Sequence, residues 1–152
     1  MKTTVRNFLL AAVIAAFGAG MAGSAAADSA NDIKYRKAHM KAMAGHIGAI
    51  FMVLKGEAGD KSHIAGHAAA LAAIGAMTPS LFPAGSGTGD TAALAGIWEK
   101  PAEFKKVVQA LGAATAALKV AAATGDMSKI GPAAGGVGKA CGSCHKVNRK
   151  KR

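Results

Sequence analysis

The chain has 152 residues, 51% of them apolar and only 5% aromatic, with 19 Lys and Arg against 8 Asp and Glu, a formal charge of +11. That length suits one domain able to enclose a core and a cofactor, and just two cysteines leave no second pair from which to build a four-thiolate zinc site. The positive charge fits nucleic acid, an anionic membrane surface or an acidic protein as partner.

The N-terminus reads as an export signal. Lys2 and Arg6 form a short basic region, Phe8 to Phe17 is an apolar run, and Ala25-Ala26-Ala27 places small residues where a signal peptidase cuts. Cleavage is expected after Ala27, giving a leader over 1–27 and a mature domain over 28–152. A retained anchor is the alternative, but the strongly apolar stretch is only ten residues long, too short for a stable membrane span. Loss of Lys2 and Arg6 takes the 19 basic residues to 17 against 8 acidic ones, a charge of +9. An exported protein seldom meets chromosomal DNA, so nucleic acid drops out as a partner.

Four helices follow from apolar recurrence. Over 31–55, Ile33, Arg36, Met40, Met43, Ile47, Ile50 and Leu54 return at helical intervals, and Gly56 suits a stop. A second helix is predicted over 60–77, with Ile64, Leu71 and Ile74 on one stripe and Thr78-Pro79 ending it. Residues 78–100 form a long connection containing Pro83, Gly85, Gly87 and Gly89, then the aromatic anchor Trp98. Pro101 suits the first turn of a third helix carrying Phe104, Val107, Val108, Leu111, Ala114 and Leu118, which stops near Gly125. Asp126 reads as a new cap. The fourth segment is rich in glycine, and the expectation is a short turn over 126–130 followed by a helix over 132–149. No segment alternates with a period of two. Short first and third connections with one long crossover predict an all-α, antiparallel four-helix bundle.

Near the C-terminus stands Cys141-Gly142-Ser143-Cys144-His145. A Cys-x-x-Cys-His run is the covalent attachment site of a c-type haem, in which both thiols bond the macrocycle and the adjacent imidazole binds iron. On a helix these three side chains fall at i, i+3 and i+4, on one face. A disulfide across two intervening residues would close a very small loop, and a thioredoxin-like pair would need a βαβ setting that the sequence does not offer.

Around that motif the chain resembles a known family. Lys34-Tyr35-Arg36 followed by Met40-Lys41, then Leu81-Phe82-Pro83, Gly85-Ser86-Gly87, Ile97-Trp98, and the Cys141–His145 run with Arg149 at the end are similar to cytochrome c′, the class II c-type cytochromes. The likeness covers about 33–149. It implies one covalent haem c held by Cys141 and Cys144, with His145 as the proximal iron ligand. It also implies that Arg36 pairs with a haem propionate and that Arg149 lies near the proximal side. The family often has an aromatic residue where this chain has Asn148. Met40 aligns with the distal position, and Met43 one turn on reads as core with a spare thioether.

Two functions belong to that family. In the first, taken here as the main expectation, Met40 is the sixth ligand and the protein is a periplasmic electron carrier, met by an acidic redox partner. In the second, the iron is five-coordinate and high-spin, and binds the diatomic gases NO or CO. The resemblance also implies a homodimer through the first two helices. No nucleophile, acid/base pair or second cofactor site argues for an enzyme. His39 and His46 read as half-exposed surface residues. His63 and His67, at i and i+4, offer a metal only two ligands.

Overall fold

Residues that recur every three and four positions share one edge of a helix, and burying that edge drives the packing of this chain. The computed structural model describes the backbone of residues 2–151 and the side chains of residues 28–151. The expected leader, 1–27, lies outside the side chains described. The long helices are α1 (Lys2–Lys55) and α2 (His63–Ala76), then α4 (Pro101–Ala123) and α5 (Met127–Asn148). Between the pairs runs a crossover with a 3-10 turn at Thr78–Leu81 and a one-turn helix, α3 (Gly96–Glu99). Helix α1 packs on α2, α2 on α4, α4 on α5, and a lighter α1–α5 seam closes the ring. This is the expected four-helix bundle. Among the described residues there is no strand, only an isolated bridge between Ala93 and Arg149.

The ends of the helices have local causes. At the end of α1, Gly56 takes φ +70°, its N–H donates to the Val53 carbonyl at 3.1 Å, and the Glu57 N–H donates to Met52 at 2.9 Å. That double bond is a Schellman stop, which a left-handed glycine makes cheaply. Helix α2 starts three residues later than the sequence suggested, because the Asp60 carboxylate accepts the Ser62 N–H at 2.8 Å and holds a turn there. Gly125 takes φ +67° after α4, and the Asp126 carboxylate then caps α5 by accepting the Ser128 N–H at 2.9 Å.

Helix α5 corrects the expectation of a break before Pro132. It is continuous through that proline. The pre-proline position normally avoids helical geometry because its Cβ meets the ring, and here it is Gly131, which has no Cβ. The carbonyl that loses its partner belongs to exposed Ser128, where water can replace the bond.

Ile50, Leu71, Leu118 and Val137 are fully buried between the four helices, each such burial stabilising the fold by about 1.5–3 kcal/mol. Helix α4 is the one helix among the described residues long and apolar enough to span a bilayer. Its stripe of Val108, Leu111, Thr115, Leu118 and Ala122 is turned into the bundle. Helices α2 and α4 approach closely at Gly75, where an added Cβ would stand 2.9 Å from Thr115 Oγ1. Thr115 is itself buried and donates to the Gly112 carbonyl, so it cannot turn aside without losing that bond. Gly75→Ala is therefore expected to cost about 1–3 kcal/mol by overpacking, read as a lower urea midpoint of the haem-loaded protein. An unchanged midpoint would mean that the two helices part without penalty.

Candidate functional site

The buried positions of α5 are Ile130, Ala134 and Val137, and the same alternation of four and three residues continues to Cys141 and Cys144. The two thiols thus stand on the core-facing seam of the helix. Cys141 packs directly against the central cluster, alongside Ala140. Both cysteines are half-buried and unbridged. Burial pushes the Cys141 thiol above its ordinary pKa, with the neighbouring Cys144 adding to it. Burial raises Cys144 as well, opposed by the Asn148 side-chain amide, which donates to its sulfur at 3.7 Å. His145 follows on the same face, half-buried.

The chain leaves α5 immediately after this motif. Arg149 is extended at φ −131° and ψ 138°, and its N–H donates to the His145 carbonyl at 3.3 Å. Its neighbours pair with the crossover: the Leu94 N–H donates to the Asn148 carbonyl at 3.0 Å, and the Lys150 N–H to the Ala92 carbonyl at 2.8 Å. Arg149 is half-buried at this junction.

The other end of the crossover is held from α1. Arg36 is only 4% exposed. Its Nη1 donates to the Leu81 carbonyl at 3.1 Å and to Ser86 Oγ at 2.8 Å. Its Nη2 donates to the Ser86 carbonyl and to Thr91 Oγ1, both at 2.8 Å. The guanidinium also lies 4.9 Å from the centre of the Phe82 ring. Burial lowers its pKa, and the charge of Asp32 partly offsets this. The four Nη hydrogens are thus engaged by the crossover. Ser86 and Thr91 went unnoticed in the sequence as partners of Arg36. Trp98 anchors the same segment, donating from Nε1 to the carbonyls of Phe82 and Pro83 at 3.1 Å each. Its ring passes so close to Gly87 that a Cβ there would be 2.9 Å from Cζ3.

Met40 is half-buried and packs against the central cluster, as Cys141 does from α5, while Met43 is buried in the core itself. His39 departs from expectation. It is 8% exposed rather than half-exposed, and its Nε2 lies 2.8 Å from the Ile74 carbonyl near the end of α2. A carbonyl accepts only, so Nε2 carries the hydrogen. His46 is half-buried, and its partner is His67 on α2, while His63 is exposed.

A covalently held haem needs two unbridged thiols and an imidazole on one helix face, beside apolar surface. Helix α5 provides that donor set where it meets the lighter α1–α5 seam, so the residues present fit the group. Fold and donor set together define a c-type cytochrome built on a four-helix bundle, with its attachment motif at the C-terminal end. The family model for cytochrome C′ matches residues 31–149, and the chain belongs to the cytochrome c′ family, which carries one covalent c-type haem. It is 36% identical over 119 residues to a cytochrome c′ of Pararhodospirillum photometricum, covering 78% of this chain and 95% of that one. A carbon monoxide-bound variant of cytochrome c′ from Alcaligenes xylosoxidans superposes with a TM-score of 0.75 at 35% identity, over 81% of this chain and 97% of that one. A nitric oxide complex of another variant of the same protein gives 0.75 at 34% identity, over 82% and 97%.

These relatives overturn the main functional expectation, an electron carrier with Met40 and His145 as its two axial ligands. Variants of the similar cytochrome c′ from Alcaligenes xylosoxidans hold carbon monoxide and nitric oxide, and a diatomic ligand needs a coordination position that no side chain keeps. The packing of Met40 as an apolar side chain accords with this.

Two outcomes follow from the geometry. Arg36→Ala strands four buried or half-buried acceptors and is expected to lower stability by about 2–4 kcal/mol, measured by urea unfolding, with Arg36→Lys recovering only part because an ammonium has three donors and no fork. A loss below about 0.5 kcal/mol would show that water replaces the clamp. In the haem-free protein, thiols with raised pKa stay protonated at pH values where ordinary thiols ionise. Their contribution to stability is complete below the unfolded thiol pKa and is lost as pH rises through the folded one. Alkylation of the folded chain should accordingly lag behind that of the denatured chain near pH 8.5, and equal rates would contradict the burial.

Proposed function

We propose that the chain is an exported, periplasmic haem protein that binds nitric oxide or carbon monoxide on a five-coordinate, high-spin iron. The observation that carries this reading is its likeness to cytochrome c′ solved with each gas, over nearly the whole length of those chains. In this reading Cys141 and Cys144 make the thioether bonds and His145 binds the iron on the proximal side. The haem, when bound, supplies the iron at which the gas is held.

The remaining residues shape the site. Met40 covers the distal side with an apolar, flexible thioether that yields space to a two-atom ligand. Arg36 fixes the crossover and offers Nε–H to a propionate, a charge-assisted bond. Arg149, held beside His145 by the bridge to Ala93, places a second cation on the proximal side. The leader over 1–27 is removed after Ala27 during export, leaving 28–152 as the working domain. A homodimer through α1 and α2 suits the exposed small residues Ala38, Ala42 and Gly45 on α1 with Ala69 and Ala73 on α2.

The optical spectrum of the purified, haem-loaded mature protein tests this directly. It should be high-spin in both oxidation states, shift on addition of CO to the reduced form, and keep its spin state in Met40→Ala. A low-spin spectrum indifferent to CO, turned high-spin by Met40→Ala, would sink the gas-binding reading.

A further inference from the structure

On the seam between α1 and α2, away from the haem motif on α5, two imidazoles meet nitrogen to nitrogen. His46 Nδ1 and His67 Nδ1 are 2.9 Å apart, with ring centres 5.2 Å apart and planes inclined by 56°. The antiparallel register brings them together. His39 stands opposite Ile74, and seven residues along each helix in opposite directions His46 stands opposite His67. Both rings are half-buried, so the backbone fixes their approach while one edge stays open to solvent. His63 lies one turn before His67 on the same helix and is exposed.

We propose that His46 and His67 form a surface binding site for a divalent transition-metal ion, copper(II) by preference, bridging α1 to α2 independently of the haem. Two cis nitrogens bound at about 2.05 Å on a square-planar or tetragonal ion are separated by about 2.9 Å, whereas a tetrahedral zinc ion spreads them to about 3.3 Å. The 2.9 Å separation of the metal-free pair is that of an N–H···N hydrogen bond, so the two rings already stand close enough to converge on one ion. Imidazole suits copper(II), which a nitrogen site binds more tightly than the other divalent first-row ions. Among the described residues no group of three or more His, Cys, Asp or Glu is gathered within reach of one ion. The site is therefore a two-imidazole chelate completed by water.

The proton balance is simple. In the metal-free pair one Nδ1–H donates to the other Nδ1, so one ring carries its hydrogen on Nδ1. On binding, that hydrogen passes to Nε2 of the same ring through solvent, both Nδ1 lone pairs turn to the metal, and no net proton is released from two neutral imidazoles. No electron transfer is involved.

The test uses the haem-loaded mature protein, whose cysteines are then tied up as thioethers and cannot capture copper. Copper(II) titration by calorimetry should give one ion per chain, and its electron paramagnetic resonance signal should show coupling to at least two imidazole nitrogens. His46→Gln and His67→Gln should each weaken binding about a hundredfold, since losing one arm of a two-armed site removes the chelate advantage, while His63→Gln has a much smaller effect. Circular dichroism and the haem Soret band of each variant serve as the control for folding. Affinity equal to wild type in His46→Gln or His67→Gln, or a loss confined to His63→Gln, would overturn the proposal. Absence of tight stoichiometric binding to the wild type would overturn it equally.

Discussion

A guanidinium buried among neutral oxygens organises this molecule. Removing a cation from water is costly, and two carbonyls, two hydroxyls and the face of Phe82 replace the hydration of Arg36, with the charge of Asp32 adding to them. The exchange serves both sides. Between Leu81 and Thr91 the crossover carries Pro83 and three glycines and forms no regular ladder, so its polar backbone groups lack the partners a helix would provide. Arg36 supplies donors to the carbonyls of Leu81 and Ser86 from a single side chain, and Trp98 to those of Phe82 and Pro83. A lysine in its place would have the charge without the planar fork.

The bundle places its chemistry through the same periodicity that buries its core. Along α5 the inward positions pass from Ile130, Ala134 and Val137 to Cys141 and Cys144 without a change of spacing. The two thiols of the motif continue the core-facing line of the helix, and Cys141 packs on the central cluster. Their raised pKa is the electrostatic counterpart of that burial. Met40 occupies a corresponding inward position on α1 and packs on the same cluster as Cys141.

Periodicity and punctuation were legible in the sequence because they are local. The stripe on α1, the stop at Gly56, the cap at Asp126 and the placement of Cys141, Cys144 and His145 on a helix each follow from a few adjacent residues. Contacts fixed by register between helices were not. His39 looked half-exposed, yet the approach of the α2 C-terminus buries it against Ile74. His63 and His67 offered a metal only two ligands from one helix, whereas the ring that meets His67 is His46, across the seam. Pro132 suggested a break that Gly131 makes unnecessary. Met40 was hardest to assign from sequence, since a thioether suits both an apolar pocket and an iron atom. The likeness to gas-binding relatives decided against ligation. The fate of 1–27 and the residue-level roles at the haem rest on pattern and resemblance.

The crossover is fastened twice, by Arg36 some fifty residues before it and by the main-chain bridge to Arg149 fifty-six residues after its partner Ala93. Each fastening closes a large loop, and the entropy of such closure grows only with the logarithm of loop length, so most of its cost is already met once the bundle has formed. The same short strap is thus an endpoint for both halves of the chain. Release of the C-terminal segment would leave the strap anchored on one side and more prone to open, exposing the buried guanidinium to water. The first helix and the last are therefore joined through the strap as well as along their own seam, the lightest between the long helices.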